Sequence, residues 1–320
     1  MQLNSLVSLA PDLLLDPRRL FQLPQAKKNT IQTQSSPPQA FAPFVLAPML
    51  QQGQAATSLN LFPAEATELS LDQIRAGSIA GVGSKGAAVR WLQENLTKLG
   101  YAVQITAELG PTTESRLQKF QKDYGVQSTG KFGPTTLKAV EWAIQQTHAI
   151  QALRKVSPSQ LKKMDASQFF KTLLPAALES ERVYHVPAAV TLAQAALESG
   201  FAASPIGGYN IFGIKGRGPA GSVMVGTTEY YGGKKTAIQD RFAKYHDFYE
   251  AVSAHGKLFH NGYYDKAVTQ FAKDQNTHRF IDNMAKTYAT DPQYASKLKS
   301  MIQQYGLEIL VNSARKIPTV

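Results

Sequence analysis

The sequence predicts a mainly α-helical protein with two folded domains and one β-hairpin. Apolar residues recur at the helical spacing of three and four within residues 81–146 and again within residues 165–310. Two β-rich runs, residues 222–231 and 234–242, flank a Gly-Gly pair, which is typical of a hairpin turn. With 320 residues, of which 43% are hydrophobic, the chain is long enough for two domains and their connecting segments.

Residues 1–75 are expected to form a flexible or partly ordered N-terminal arm. Pro, Gln, Ser and Ala dominate them, as in TQSSPPQAFAPFVLAP, and such a composition resists regular packing. The apolar run at residues 41–50 is too short to span a bilayer and contains two prolines. This apolar run either docks on a partner or on the folded domains, or it is part of a linker with incidental apolar residues. Because the first residues lack a basic segment, we expect no classical signal peptide.

Residues 81–146 are expected to form a compact module of three short helices. Val89, Leu92 and Leu96 lie on one face of the first helix. The sequence Gly-Pro-Thr-Thr then occurs at residues 110–113 and again 23 residues later, at 133–136. Each copy offers proline at a helix start and threonines as caps for free N–H groups.

The two GPTT turns and the stretch FQKDYGVQSTGKFGPTT resemble the three-helix peptidoglycan-binding module found beside many wall hydrolases. One difference is the first loop, ITAELGP at residues 105–111, where that family has a DG-x-FGP turn. A generic three-helix domain is the alternative interpretation.

Residues 147–164 are expected to form a linker, broken at Ser157-Pro158-Ser159, before an apolar helix begins near residue 165. The helix starting near Pro187 has an apolar stripe and ends at Gly200, which places Glu198 in its last turn. Low dielectric and the negative end of the helix dipole both raise the pKa of a carboxyl group there. A carboxyl group protonated near neutral pH is what a general acid requires. A solvated Glu198 at a frayed helix end is the alternative.

Glu229 is a second candidate carboxylate, on the predicted hairpin. A hairpin beside the Glu198 helix would place two carboxyl groups across a cleft, as glycosidases require. The competing interpretation is a surface residue paired with Lys234 or Lys235.

Four separated segments resemble the bacterial cell-wall glucosaminidases, the family that includes the flagellar peptidoglycan hydrolase. They are AQAALESGFAASPIGGYNIFGIKG, TTEYYGGKK, RFAKYHDFYEAVSAHGKLF and YATDPQYASKL, within residues 165–308. The resemblance implies a lysozyme-like α+β catalytic domain with a β-hairpin lip. It also implies hydrolysis of β-1,4 bonds in peptidoglycan, after N-acetylglucosamine.

The resemblance also implies roles for individual residues. Glu198 corresponds to the general acid, Glu229 to the second carboxylate, and Tyr288 to the active-site tyrosine, with Tyr294 as its competitor. A turn-forming role is equally open for Asn210. Tyrosines suit sugar faces because they combine an apolar ring with a hydroxyl group. The expected substrate-binding residues are Asn210, Phe212, Tyr294, Tyr230 and Tyr209.

Charge and composition limit the expected partners. The formal net charge of +11 favours an anionic polymer, and without a nucleic-acid motif the cell wall fits better than nucleic acid. The chain has no cysteine, and its six histidines lack zinc-ligand spacing, so we expect neither metal nor cofactor and take the histidines as structural.

We expect action in the periplasm or cell wall, no membrane span, and delivery by a secretion system, flagellar export or a phage particle, with the N-terminal arm as the contact. Residues 311–320 are expected to be a tail. The alternative functions are a muramidase or lytic transglycosylase, or a non-catalytic wall-binding or assembly protein.

Overall fold

The computed structural model describes residues 68–231 and 234–315, without the side chains of residues 227–238. This part of the chain folds into two compact units, and the boundary between them in the sequence lies near residue 145. Most of the predicted N-terminal arm, including residues 41–50, lies outside the described residues. The predicted tail, residues 311–320, is helical as far as Arg315, and its last five residues also lie outside the description.

The first unit is helical, and the three predicted helices are confirmed. A short additional helix precedes them, with Ser70 forming its capping box. Their core is made of fully buried side chains such as Val89, Leu92, Leu117 and Phe120. The elements are α1 (Leu71–Arg75), α2 (Ala87–Lys98), α3 (Pro111–Asp123) and α4 (Pro134–Leu153).

Two buried glutamines hold the two inter-helix loops in the same way, which extends the repeat beyond the GPTT turns. Gln93 donates to the carbonyl of Glu108 at 2.9 Å, and Gln121 donates to the carbonyl of Lys131 at 2.9 Å. Each amide oxygen also accepts from loop backbone N–H groups. Because both glutamines are fully buried, these bonds satisfy loop groups that water does not reach.

The prediction that the GPTT threonines cap their helices is wrong for the first copy. Gly110 is the N-cap of α3, and no side chain caps it. The second threonine of each copy instead accepts from the buried glutamine: Thr113 from Gln93 at 3.2 Å and Thr136 from Gln121 at 2.9 Å.

In the first loop, ITAELGP, an alanine occupies a position with a left-handed backbone conformation, where the second loop has a glycine. Ala107 has φ of 61°, and Gly130 has φ of 69° at the matching place in the second loop. Glycine adopts this conformation without steric cost, whereas alanine does not. The first loop therefore keeps the geometry of the repeat with a strained residue.

The second unit contains the end of α4, eight further helices and one hairpin among its described residues. The predicted linker, residues 147–164, is largely helical, since α4 runs to Leu153 and another helix follows Ser157. The last two helices are separated at Gly306, whose φ is 60°. The helices are α5 (Pro158–Lys162), α6 (Ala166–Tyr184), α7 (Ala188–Ser199), α8 (Phe248–Leu258), α9 (Asp265–Asp274), α10 (Thr277–Tyr288), α11 (Tyr294–Gln304) and α12 (Leu307–Arg315).

The predicted hairpin is confirmed as the antiparallel pair β1 (Ser222–Tyr231) and β2 (Lys234–Ala243). Its register places the backbone of Glu229 opposite Thr236, and the turn at residues 232–233 lies outside the description. The hairpin extends to within five residues of α8, so it connects directly to the helical core.

Helix α7 lies at the centre of the second unit, where it packs against α6, α8, α10, α11 and α12. Its N-terminus is tied to α6, because the N–H of Ala188 donates to Oε2 of Glu181 at 2.7 Å. Glu181 also pairs with Arg315. The side chain of Glu181 is only 11% exposed, and it accepts a hydrogen bond from the N-terminus of α7.

In the part of the chain that the structure describes, no helix combines the length and the apolar character needed to cross a membrane.

Candidate active site

Glu198 lies in the last turn of α7, two residues before a left-handed turn of three residues. Gly200, Phe201 and Ala202 have φ of 58°, 57° and 59°. For the two non-glycine residues, this conformation costs roughly 1–2 kcal/mol each. The ring of Phe201 packs against Phe169 at 5.4 Å, as well as Phe170 and Tyr305, and these contacts offset the strain. The turn fixes where the chain leaves the helix next to the carboxyl group.

The carboxyl group of Glu198 has a pKa raised to about 8, because burial penalises its charged form. A hydrogen bond from Tyr294 opposes this shift without cancelling it. The predicted direction of the pKa shift is confirmed, and the solvated alternative is not supported. The residue as a whole keeps intermediate solvent exposure.

Tyr294 is the tyrosine that contacts the acid. Its hydroxyl group donates to Oε1 of Glu198 at 2.8 Å. It also accepts from Nε2 of Gln194 at 2.9 Å. Burial, and next the neighbouring carboxyl group, raise the pKa of Tyr294 well above its ordinary value, so the hydroxyl group remains protonated.

Gln194 connects this tyrosine to a buried histidine. Its Oε1 lies 2.9 Å from Nε2 of His255. The imidazole ring is fully buried and stacks on Phe212, with ring centroids 4.1 Å apart. Burial lowers the pKa of His255 to about 3, so the ring is neutral. Four side chains on helices α7, α8 and α11 thus form one continuous hydrogen-bonded chain.

Tyr288 packs beside this chain, and no hydrogen bond joins it to Glu198. Its ring stacks on Tyr294, with centroids 5.5 Å apart and an interplanar angle of 16°. Within the described residues its buried hydroxyl group has no hydrogen-bond partner. Burial and then the proximity of Glu198 raise the pKa of Tyr288 well above its ordinary value. Of the two candidate tyrosines, the geometry favours Tyr294.

The prediction that Asn210 and Phe212 line a cleft is wrong. Asn210 is 1% exposed and donates its two amide hydrogens to the carbonyls of Ile214 and Ala243, at 2.8 and 3.0 Å. Its oxygen accepts from the N–H of Ile214 at 3.0 Å. The amide therefore fixes the loop after α7, in line with the turn-forming alternative. Phe212 is fully buried against His255.

The other predicted site residues lie elsewhere or are only partly described. Tyr209 is partly exposed, and its ring contacts Phe248 at 5.0 Å. Glu229 and Tyr230 lie in β1, where the structure gives their backbone pairing and not their side chains. Their roles stay predictions.

Sequence reasoning overlooked Gln194 and treated His255 as structural. One signal was available for Gln194: it is a polar residue in an apolar helix, four positions before Glu198, so both side chains lie on the same face. His255 gave no comparable signal, because its partner is 61 residues away in the sequence. Among the described residues, no group of three or more acidic or histidine side chains could hold a metal ion.

Two family matches agree with this geometry. Residues 174–307 match the glucosaminidase family, described as mannosyl-glycoprotein endo-beta-N-acetylglucosaminidase. Residues 85–140 match a putative peptidoglycan binding domain. The second unit therefore carries a glucosaminidase-type glycoside hydrolase domain, and the first carries a peptidoglycan-binding-type module.

Individual relatives match the second unit. The peptidoglycan hydrolase FlgJ of Salmonella typhimurium is 38% identical over 151 residues, 44% of this chain and 46% of that protein. The exo-glucosaminidase LytG of Bacillus subtilis is 33% identical over 130 residues, 39% of this chain and 46% of that protein. The chain thus spans less than half the length of these relatives. The catalytic domain of the autolysin Auto from Listeria monocytogenes is a solved structure with 30% identity and a TM-score of 0.42. That match covers 51% of this chain and 94% of the domain.

Proposed function

We propose that this protein is a peptidoglycan hydrolase that cleaves the β-1,4 glycosidic bond after N-acetylglucosamine, with Glu198 as the general acid. The observation that carries the proposal is the pKa of Glu198, about 8, in a carboxyl group that is hydrogen-bonded to Tyr294, on a residue that keeps intermediate solvent exposure. Such a group is mainly protonated at pH 7, as proton donation to a leaving oxygen requires.

In the proposed reaction, Glu198 protonates the glycosidic oxygen as the bond to the anomeric carbon breaks. The carboxylate that forms keeps the hydrogen bond from Tyr294, which favours the charged form. Glu229 on the hairpin is the proposed second carboxylate, activating water on the opposite side of the sugar. About 6.5–9.5 Å between the two carboxyl groups leaves room for that water. With a larger separation, the N-acetyl oxygen of the substrate instead attacks the anomeric carbon as the nucleophile while the glycosidic bond breaks, and water then opens the cyclic intermediate.

The two units have complementary roles in this proposal. Residues 81–146 hold peptidoglycan glycan strands, and residues 165–310 cleave them in the periplasm or cell wall. The match of residues 85–140 to a putative peptidoglycan binding domain supports the first role. We propose delivery by a secretion system, by flagellar export or in a phage particle, with residues 1–75 contacting that machinery.

Bond specificity is tested by mass spectrometry of the fragments that the full chain releases from purified peptidoglycan. Reducing-end N-acetylglucosamine supports the proposal. Reducing-end N-acetylmuramic acid identifies a muramidase, and its anhydro form a lytic transglycosylase; either result contradicts it. Binding without any release identifies a non-catalytic wall-binding protein.

A further inference from the structure

The hydrogen-bonded chain that ends at Glu198 has a direction, and the structure allows that direction to be determined. Its three links are His255 to Gln194 at 2.9 Å, Gln194 to Tyr294 at 2.9 Å, and Tyr294 to Glu198 at 2.8 Å. A glutamine side chain can be rotated to exchange its oxygen and nitrogen, so two opposite directions are consistent with the distances alone. In one direction every donor points toward Glu198, and in the other every donor points toward His255.

The far end of the chain distinguishes the two directions. Nδ1 of His255 is buried and has no hydrogen-bond partner among the described residues. If the chain ran toward His255, Gln194 would donate to Nε2, and the neutral ring would carry its only proton on Nδ1. That arrangement buries an N–H group without an acceptor, which is rarer in proteins than an acceptor without a donor. The ring therefore carries its proton on Nε2 and donates it to Oε1 of Gln194.

The rest of the chain follows from this tautomer. The amide nitrogen of Gln194 faces Tyr294 and donates to its hydroxyl oxygen. The single O–H of Tyr294 is then directed at Oε1 of Glu198, which acts as an acceptor. Oε2 has no hydrogen bond to any residue that the structure describes. When Glu198 is protonated, its proton is therefore carried by Oε2.

We infer that His255 and Gln194 are positioning residues that hold the O–H of Tyr294 toward Oε1 of Glu198, so that the transferable proton rests on Oε2. The inference rests on the proposed role of Glu198 as general acid. Without the chain, Tyr294 can turn and accept a hydrogen bond from protonated Glu198 instead. The proton would then be held by the protein rather than offered to the sugar.

The wild-type full chain allows a first test without any substitution. Nitrogen-15 NMR of the histidine side chains distinguishes the two neutral tautomers. We expect the His255 ring, identified by its absence in His255→Gln, to carry its proton on Nε2. A proton on Nδ1 overturns the inference.

A second test measures the pKa of Glu198 directly by carbon-13 NMR of glutamate side-chain carboxyl groups, with Glu198→Gln identifying the resonance. Tyr288 and Tyr294 are the titratable groups whose interaction with this carboxyl group is resolved, and both stay neutral over the range of the experiment. We expect His255→Leu and Gln194→Met to raise the pKa by about one unit, because the ionised form loses its donor. They should also lower kcat about tenfold and leave KM nearly unchanged.

Two further variants separate positioning from packing. His255→Gln keeps an N–H donor at the position of Nε2, so its Glu198 pKa should stay near the wild-type value. Thr191→Val removes a buried hydroxyl group on the same helix that has no hydrogen-bond partner within the described residues, and should leave both pKa and kcat unchanged.

An unchanged Glu198 pKa in the folded His255→Leu and Gln194→Met variants overturns the inference, as does an equal shift in His255→Gln. Since the titration needs no turnover, its outcome is independent of the proposed function. If the tautomer and the pKa shifts are as expected but the wild type releases no sugar, the positioning role of His255 and Gln194 stands. The proposed hydrolase activity is then contradicted.

Discussion

The hydroxyl group of Tyr294 donates a hydrogen bond of 2.8 Å to Oε1 of Glu198, joining residues that are 96 positions apart in the sequence. Glu198 is at the end of α7 and Tyr294 begins α11, so the contact depends on the packing of these two helices. It gives a buried acid a neutral donor rather than a charged partner. The pKa of Glu198 therefore stays high, at about 8, while the ionised form keeps one stabilising bond.

Replacing Tyr294 with phenylalanine should raise the pKa of Glu198 further, because the hydrogen bond that lowers it is lost. A general acid works in its protonated form, so activity is present below its pKa and falls as the pH rises through it. The alkaline limb of the pH profile should therefore move to higher pH, while kcat falls roughly 10- to 100-fold for the lost stabilisation of the carboxylate. The pH dependence of kcat on purified peptidoglycan measures both effects.

Tyr288→Phe is the matched control for that substitution. It removes a buried hydroxyl group that has no partner among the described residues, on a ring stacked against Tyr294. The alkaline limb should move less than in Tyr294→Phe. A larger shift from Tyr288→Phe would make Tyr288 the tyrosine that controls the acid and contradict the assignment.

Glu198 should make the protein less stable as the pH rises. Its folded-state pKa of about 8 lies above the ordinary value of 4.5, so the folded state binds more protons between these values. Below pH 4.5 the carboxyl group does not lower the free energy of unfolding. Its destabilising effect grows as the pH rises from 4.5 to 8. We expect Glu198→Gln to be more stable than the wild type by roughly 4 kcal/mol at pH 8, and by less than about 1 kcal/mol at pH 5. Denaturant unfolding at the two pH values measures the difference, and an equal difference at both would show that the group is not buried as described.

The strained Ala107 should be a site where glycine stabilises the first unit. Because its φ of 61° is left-handed, Ala107→Gly should raise the free energy of unfolding by about 0.5–1 kcal/mol.

The reverse substitution at the matching position is Gly130→Ala. It should destabilise by more, because φ there is 69° and the added Cβ would lie 2.6 Å from Cγ of Glu114. Thermal unfolding of the full chain with each variant compares them. Stabilisation by Gly130→Ala, or destabilisation by Ala107→Gly, would contradict the shared loop geometry.

Glu181→Ala should destabilise the second unit, since it leaves the N–H of Ala188 and the guanidinium group of Arg315 without this acceptor. Removing one partner of a buried polar contact costs about 1–3 kcal/mol. Glu179→Ala is the control on the same helix: Glu179 pairs with Arg182, one turn away, and should cost less. Chemical denaturation at neutral pH measures both, and equal losses would contradict the capping role of Glu181.

The sequence predicted the parts of this protein that depend on local spacing. Helix α7 with its stop at Gly200 follows from apolar periodicity and a residue that tolerates positive φ. The hairpin follows from two β-rich runs around a Gly-Gly pair. The repeat in the first unit was visible in its GPTT turns, although its buried glutamines were not recognised.

The side chains that contact each other across helices could not be predicted in the same way. The sequence resemblance favoured Tyr288 over its competitor Tyr294, and only the packing of α11 on α7 gives Tyr294 the contact with Glu198. Asn210 was polar and lay in a glycine-rich loop, as a sugar-binding residue would. Its amide instead donates hydrogen bonds to the carbonyls of Ile214 and Ala243, the latter 33 residues away. Such partners are set by tertiary structure, which periodicity does not encode.

The central claim is that Glu198 gives a proton to the glycosidic oxygen. The most direct measurement is the rate at which the wild type, Glu198→Gln and the surface control Glu308→Gln clear a suspension of purified cell walls at pH 6. We predict clearing by the wild type and by Glu308→Gln, and a loss of about 100- to 10,000-fold in a folded Glu198→Gln. Clearing by Glu198→Gln at the wild-type rate would contradict the claim.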